Sequence, residues 1–232
     1  MKWPVFVLWC CVGAMLASAP GAVQAQSRDI QSLVRSINGP ATYSIGKGPS
    51  VPIKPGMRIP AGCTIQSGVG TTLDLFLGRG GGVLRVKEGT IVRLDKLTLS
   101  DTGSDVLSET QITLVRGEIL GAVNRLPEGA TYEVRTPEGL AGVRGARFKI
   151  QVPGNINVLD GTLVYVRNNQ AHVIKGPGEF STGLPQLVRV LLPAEIPPLA
   201  RQFIGMDASA QTAQRVRPPP PQESPLSPVV GS

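Results

Sequence analysis

The chain has 232 residues, of which 17% are charged, 4% are aromatic, 28 are glycine and 21 are proline. So many turn-forming residues exclude a long helical bundle, and one histidine with three cysteines leaves few side chains for metal or acid–base chemistry. The net charge of +7 comes without a basic cluster, which excludes a typical nucleic-acid-binding protein and indicates a weak attraction to anionic polymers of the cell envelope.

Residues 1–25 have the pattern of a secretory signal peptide. An apolar run over residues 5–19 follows the first lysine, and Val23-Gln24-Ala25 is a cleavage site of the A-x-A type. The run is shorter than the roughly 20 apolar residues that a membrane span needs, although an uncleaved anchor stays an alternative. Cleavage would give a periplasmic or secreted protein without a transmembrane segment. Cys63 would then be its only cysteine and could form no disulfide within the chain.

Residues 26–200 are predicted to form one all-β domain. Its first segment, residues 30–37, has apolar side chains at helical spacing but runs into a Gly-Pro turn, so helix and strand both stay open. From residue 41 to about 183, short apolar alternations are separated by glycine turns at intervals of roughly 8 to 12 residues. This pattern predicts stacked short antiparallel strands in a β-solenoid-like or β-roll-like fold, with a two-sheet β-sandwich as the alternative.

Individual strands show which side chains should face the core. Phe148, Ile150 and Val152 alternate with charged and polar residues, so they are predicted to line the buried face of a strand. Residues 163–166 are apolar on both faces and indicate an inner strand. The polar residues 101–108 interrupt the strands and are predicted to form a protruding loop.

The β pattern ends after Leu192. The apolar stretch that follows is broken up by prolines, and we expect it to pack back on the core. Residues 207–232 contain four consecutive prolines and few apolar side chains, so they are predicted to form a disordered Pro-rich tail that the fold does not need.

Motifs for catalysis are weak in this sequence. The glycines at 78–82 lie between two strand patterns and open no helix, so they predict a hairpin turn instead of a phosphate-binding loop. His172 has no metal-ligand partners at suitable spacing, and there is no Gly-x-Ser-x-Gly nucleophile motif. We therefore expect a non-enzymatic protein with no catalytic residue, cofactor or metal.

One cluster is more specific, the stretch of residues 136–148, which resembles the FecR domain family. The positions that match the family's most recognisable motif are Thr136, Pro137, Val143, Arg144, Gly145 and Phe148, while Ala146 stands where the family usually has threonine. Residues 56–68 resemble an upstream element of the family and residues 158–166 resemble its downstream end. The resemblance thus covers roughly residues 40–167 in the family's order.

The resemblance implies an all-β extracytoplasmic domain. In the best-known members this domain is the outer half of a membrane-spanning sigma regulator, but that architecture needs a central transmembrane helix and a cytoplasmic segment, which we do not find here, so signal transduction is not transferred. We expect a protein-binding or scaffold module of the cell envelope, whose partner is an envelope protein or an anionic envelope polymer. The alternative is a polysaccharide or peptidoglycan binding module, which the small number of aromatic residues disfavours.

The role of this motif depends on the environment of Arg144, which is either structural or functional. Its guanidinium is expected to be paired inside a glycine-rich corner, with strand carbonyls and a carboxylate such as Glu133 or Glu138. Otherwise it faces a ligand, and Arg144, Arg135 and Arg147 are then the candidate binding residues. The sequence does not define the partner or the oligomeric state.

Overall fold

The protein is described by a computed structural model that covers residues 26–101, 106–183 and 187–206. The predicted signal peptide at 1–25 and the predicted tail at 207–232 lie outside the described residues, as do residues 102–105 and 184–186. Within the described ranges, no helix is long and apolar enough to cross a membrane.

The described chain consists almost entirely of β-strands, which confirms the all-β prediction. Its elements are β1 (Gln26–Asp29), β2 (Ser32–Asn38), β3 (Ala41–Ile45), β4 (Val51–Pro52), β5 (Arg58–Ile59), β6 (Cys63–Ser67), β7 (Thr72–Phe76), β8 (Val83–Val86), β9 (Ile91–Asp101), β10 (Val106–Val123), β11 (Thr131–Thr136), β12 (Gly139–Val152), β13 (Asn155–Arg167), β14 (Gln170–Lys175), β15 (Gly178–Ser181), β16 (Val188–Val190) and α1 (Ile196–Arg201).

Three long strands, β10, β12 and β13, connect two groups of shorter strands. In β10, residues 106–116 pair with β9, whereas residues 117–123 pair with β8 and β12. Strand β12 likewise changes from β11 to β10 as its partner, and β13 pairs with β14 through one half and β15 through the other. These strands are longer than the predicted short ones, because they bend at bulges instead of ending there. The pairing of β10 with β11 is parallel.

Two local expectations are settled by the pairing. The ambiguous first segment is strand β2, because Val34 is buried opposite Leu75 and the Ser32 hydroxyl donates to the Ile59 carbonyl at 3.0 Å. The predicted loop at 101–108 is shorter than expected, since Asp101 ends β9 and residues 106–108 already belong to β10.

The main core lies between the inward faces of these strands. Its largest fully buried side chains include Tyr132, Phe148, Tyr165 and Phe180, so the domain is stabilised by aromatic and aliphatic burial. Cys63 is also buried in this core, and burial raises the pKa of its thiol to about 11. The thiol therefore stays protonated and unreactive at neutral pH.

A second, smaller cluster lies on the outer side of the central strands, where the C-terminal segment packs. Its members are Val83, Leu120, Ala122, Leu159, Leu191, Leu199, Phe203 and Met206. Leu199 is on the short helix α1, and the last two residues follow that helix directly. The prediction that the final apolar stretch packs back on the core is therefore confirmed.

Two truncations should differ sharply in stability. A chain that ends at Met206 keeps the whole second cluster, so its melting temperature should equal that of the full chain. A chain that ends at Glu195 loses Leu199, Phe203 and Met206, and it should melt several degrees lower, since about 1 kcal/mol corresponds to roughly 2–4 °C in a domain of this size. Calorimetry of the two chains measures both values. A lower melting temperature for the Met206 chain would show that residues 207–232 contribute to the fold.

Candidate functional site

The Thr-Pro motif closes the hairpin between β11 and β12. The Thr136 hydroxyl accepts hydrogen bonds from the backbone amides of Glu138 at 3.3 Å and Gly139 at 3.1 Å, and it lies 3.0 Å from the Tyr165 hydroxyl. A hydroxyl that satisfies the amides of its own turn stabilises that turn. The threonine of this motif therefore has a structural role, and Pro137 occupies the turn itself.

The Val-Arg-Gly motif forms the bend inside β12, where the strand changes partners. Gly145 has a φ of +126°, and a Cβ there would lie 2.7 Å from the Arg125 Cα. Gly161 on β13 has a φ of +82°, and its Cβ would overlap the Gly145 carbonyl oxygen. The Leu126 amide also donates to the Arg144 carbonyl at 3.2 Å. Three chain segments thus meet backbone to backbone, which only glycine permits.

The remaining apolar motif residues face inward. Val143 is 3% exposed and Phe148 is 0% exposed, so both belong to the main core. Gly139 and Gly142, in contrast, do not have positive φ and lie within the continuous strand β12. The expected glycine-rich corner is therefore a bend at Gly145 alone.

A cleft of about 950 Å³ opens beside this bend, and we call it the Arg144 cleft. Its floor is the outward face of β11, β12 and β13, and its wall is the loop that follows β10. The lining residues are Arg125, Leu126, Glu128, Ala130, Thr131, Tyr132, Glu133, Gly142, Val143, Arg144, Gly145, Gly161, Thr162 and Val164. Gly142 leaves a depression in the floor, because a Cβ there would meet only the Val164 carbonyl, at 3.9 Å.

The Arg144 side chain is exposed, and no hydrogen bond or ion pair joins its guanidinium to another described residue. The expectation that it is paired inside a corner with Glu133 or Glu138 is therefore wrong. The reason is the alternation of β12, which places Val143 inside and Arg144 outside. Arg125, whose backbone lies against Gly145 in the loop that follows β10, also lines the cleft and is exposed in the same way.

The other two candidate arginines have partners. Arg135 lies on the same outward face as Arg144, with its Nη2 3.9 Å from an Oε2 of Glu133. Arg147 lies beyond the bend and donates to the Asp160 carboxylate, with 2.6 Å between Nε and Oδ2. The structure thus places Arg144 and Arg135 on one face and leaves Arg147 in a surface ion pair.

An exposed apolar surface continues from the cleft across β12, β13 and β14. Cross-strand pairs link Leu140 to Val166 and Ala171, and Gly142 to Val164 and Val173, so these residues share the outward face. We call the set Leu140, Val164, Val166, Ala171 and Val173 the valine face. Val166 is 38% exposed and Val173 is 51% exposed, and within the described part of the chain β14 pairs with β13 alone.

The aromatic side chains are mostly inside the protein. Tyr132 and Tyr165 are each 1% exposed, and burial raises the pKa of both hydroxyls. Among the aromatic residues of the described ranges, Tyr43 and Phe76 are the two that are not buried, and both are half-buried. The described surface therefore offers little flat aromatic area on which a sugar ring could stack.

The same part of the chain holds no group of three or more potential metal ligands. His172 lies on the inward side of β14, with its ring centroid 4.6 Å from that of Phe180. It therefore packs as an aromatic filler at the end of the main core.

Several residues of the cleft and the valine face were not identified from the sequence. Arg125 belongs to no recognisable pattern, and Gly142 was expected to serve the turn of the backbone, not a binding surface. The signal for the valine face was present in residues 163–166, whose two apolar faces were interpreted as an inner strand. β13 is indeed flanked by β12 and β14, but none of the described segments covers its second face at Val166, which is exposed.

Comparison with solved structures gives only distant similarity. Two crystal structures of a proposed anti-sigma factor from Parabacteroides distasonis ATCC 8503 align with TM-scores of 0.44 and 0.43 and 18% sequence identity. Each alignment covers 55% of this chain and 59% of the other, so the chain spans less than two thirds of the length of these proteins. No curated protein sequence matches the chain.

Comparison with protein families gives a direct match. Residues 67–164 match the sequence model of the family described as FecR protein. This range includes the Thr-Pro motif, the Val-Arg-Gly motif with its bend at Gly145, and most of β13. Residues 56–66 of the upstream element lie outside it. The similarity of this chain to FecR proteins therefore covers residues 67–164.

Proposed function

We propose that this FecR domain is a non-enzymatic module that binds another protein in the cell envelope through the valine face. The observation that carries the proposal is the exposed apolar surface of β12, β13 and β14. Exposed apolar patches on a soluble domain mark surfaces that a partner covers. A FecR domain in the envelope also fits the signal peptide predicted for residues 1–25.

The position of the valine face supports this role. The family's motif places Gly145 at a close backbone contact, while the exposed Arg144 side chain beside it makes no hydrogen bond or ion pair with another described residue. Among the described residues, no strand pairs with the edge of β14 that faces away from β13, so a partner strand can add to the sheet there. A rigid sheet with an apolar face and an open edge is suited to holding a protein segment.

Photo-crosslinking in the native host tests this proposal. A benzophenone amino acid at position 173, on the valine face, should give a covalent adduct of one discrete mass with an envelope protein. The matched control is position 69, where Val69 is 87% exposed in a turn far from the face in sequence, and it should give no such adduct. Equal adducts at both positions, or none at position 173, would refute the proposal.

The second candidate, binding of a wall polysaccharide, predicts a different result. The aromatic side chain best placed to stack on a sugar is half-buried Tyr43, on β3. We expect the protein to stay in the supernatant when it is mixed with isolated peptidoglycan and centrifuged. Sedimentation with the wall that is lost in Tyr43→Ala would favour the polysaccharide function instead.

A further inference from the structure

We infer that the Arg144 cleft binds carboxylate side chains of an extended, acidic segment of the partner protein. This inference rests on the proposed function, since the cleft continues into the valine face. It specifies the chemistry of the partner segment, whose acidic residues would bind in the Arg144 cleft and whose apolar residues would pack on the valine face.

The charges around the cleft favour an anion. Arg125, Arg144 and Lys175 are exposed, and none of the three has a hydrogen-bond or ion-pair partner within the described ranges. Of the two carboxylates that line the cleft, Glu133 lies beside Arg135, and Glu128 has no hydrogen-bond or ion-pair partner among the described residues. The unpaired charges therefore leave an excess of two positive groups for a ligand to neutralise.

The shape of the cleft suits carboxylates. Each guanidinium has a planar set of N–H donors that can hold both oxygens of one carboxylate. The two arginines come from different elements, Arg125 from the loop after β10 and Arg144 from β12, and both line the cleft. The depression at Gly142 lies between them and the valine face, and it leaves room for the backbone of a bound segment.

The valine face sets the spacing of the partner's side chains. From Gly142 on β12 to Val173 on β14 the sheet is crossed by two strand-to-strand steps, which amount to roughly 10 Å. An extended chain covers this distance in about three residues. The partner segment should therefore carry acidic residues about three positions away from apolar ones.

A fluorescent peptide tests the inference. Its sequence has two glutamates followed, about three positions later, by two valines, and the matched control peptide has glutamine in place of glutamate. Fluorescence anisotropy at low ionic strength should show binding of the glutamate peptide and at least about tenfold weaker binding of the glutamine peptide. The full chain is used in every measurement.

Three variants locate the site. Arg144→Ala and Arg125→Ala should each weaken binding by about tenfold. Gly142→Leu should abolish binding while keeping both arginines, because the new side chain fills the floor without backbone strain. Arg58→Ala is the charge-matched control, an exposed arginine on β5, and it should bind like the wild type. All these variants should unfold at the wild-type midpoint.

Several results would overturn the inference. Equal binding of the glutamate and glutamine peptides, no binding of either, or full binding by Arg144→Ala would each refute it. Oligomers of alginate, a polysaccharide rich in carboxylates, are tested beside the peptide. If alginate binds more tightly than the peptide and displaces it, the ligand is a polysaccharide and the inference is wrong.

The crosslinking experiment distinguishes this inference from the proposed function. If the adduct at position 173 still forms in the chain with Arg125→Ala and Arg144→Ala, the valine face binds a protein but the cleft does not read its acidic residues. If position 173 forms no adduct while the glutamate peptide binds through Arg144, the acidic site stands and the proposed function fails.

Discussion

Phe148→Ala is expected to lower the free energy of unfolding by about 3–5 kcal/mol, the usual cost of removing a fully buried aromatic side chain. Phe148 is 0% exposed and lies edge-to-face against Tyr132, with 6.0 Å between the ring centroids. It pairs across the strands with Gly121, and its ring occupies the space where a Cβ of that glycine would be. Gly121 has no side chain that could fill the cavity left by the variant, so the full cost of the cavity is expected.

Urea denaturation of Phe148→Ala measures this loss. Val69→Ala is the control for truncation of an exposed side chain, and its midpoint should stay within error of the wild type. Gly121→Ala adds a second check, because it should also destabilise the protein by pressing on the Phe148 ring. Equal midpoints for Phe148→Ala and the wild type would contradict the packing described for this core.

The sequence predicted the inward faces of the strands well, because alternation reports directly on which side chains are buried. Phe148, Ile150 and Val152 all lie in the main core, as their spacing indicated. The resemblance of residues 136–148 to the FecR family agrees with the family match over residues 67–164, and the backbone contact at the bend explains why this motif contains a glycine.

The outward faces could not be predicted in the same way. Alternation states that Val164 and Val166 point away from Leu163 and Tyr165, but it does not state whether another layer covers them. The environment of Arg144 depends on the same question, and on where the loop carrying Arg125 folds back. These contacts are set by the long bends in β12 and β13, which no local pattern specifies.

Arg85 holds the C-terminal segment against the sheet, and Arg85→Ala should therefore have the second large effect. Its Nε and Nη2 each lie 2.7 Å from an oxygen of the Asp74 carboxylate. Its Nη1 donates to the carbonyls of Gln202 at 2.7 Å and Ile204 at 3.2 Å. The hydrogen bond with Asp74 raises the pKa of Arg85, so the guanidinium stays charged at neutral pH.

Removal of this guanidinium leaves a buried carboxylate and two carbonyls without their main donor. The side chains of Arg85 and Asp74 are 14% and 9% exposed, so water replaces the lost bonds poorly. We expect Arg85→Ala to cost about 3–5 kcal/mol, the range for breaking a buried ion pair from one side. Arg85→Lys should recover only part of this loss, because the single nitrogen of an ammonium cannot take the positions of the three guanidinium nitrogens that donate to the carboxylate and the carbonyls.

A double variant separates the cost of the unpaired charge from the value of the pair itself. Arg85→Met with Asp74→Leu removes both charges and keeps the apolar contacts of the second cluster around Phe203 and Met206. It should be more stable than Arg85→Ala, since no carboxylate is then left buried alone. Thermal unfolding of the two proteins gives the comparison. If the double variant is the less stable of the two, the ion pair itself attaches the C-terminal segment, and apolar packing alone does not hold it in place.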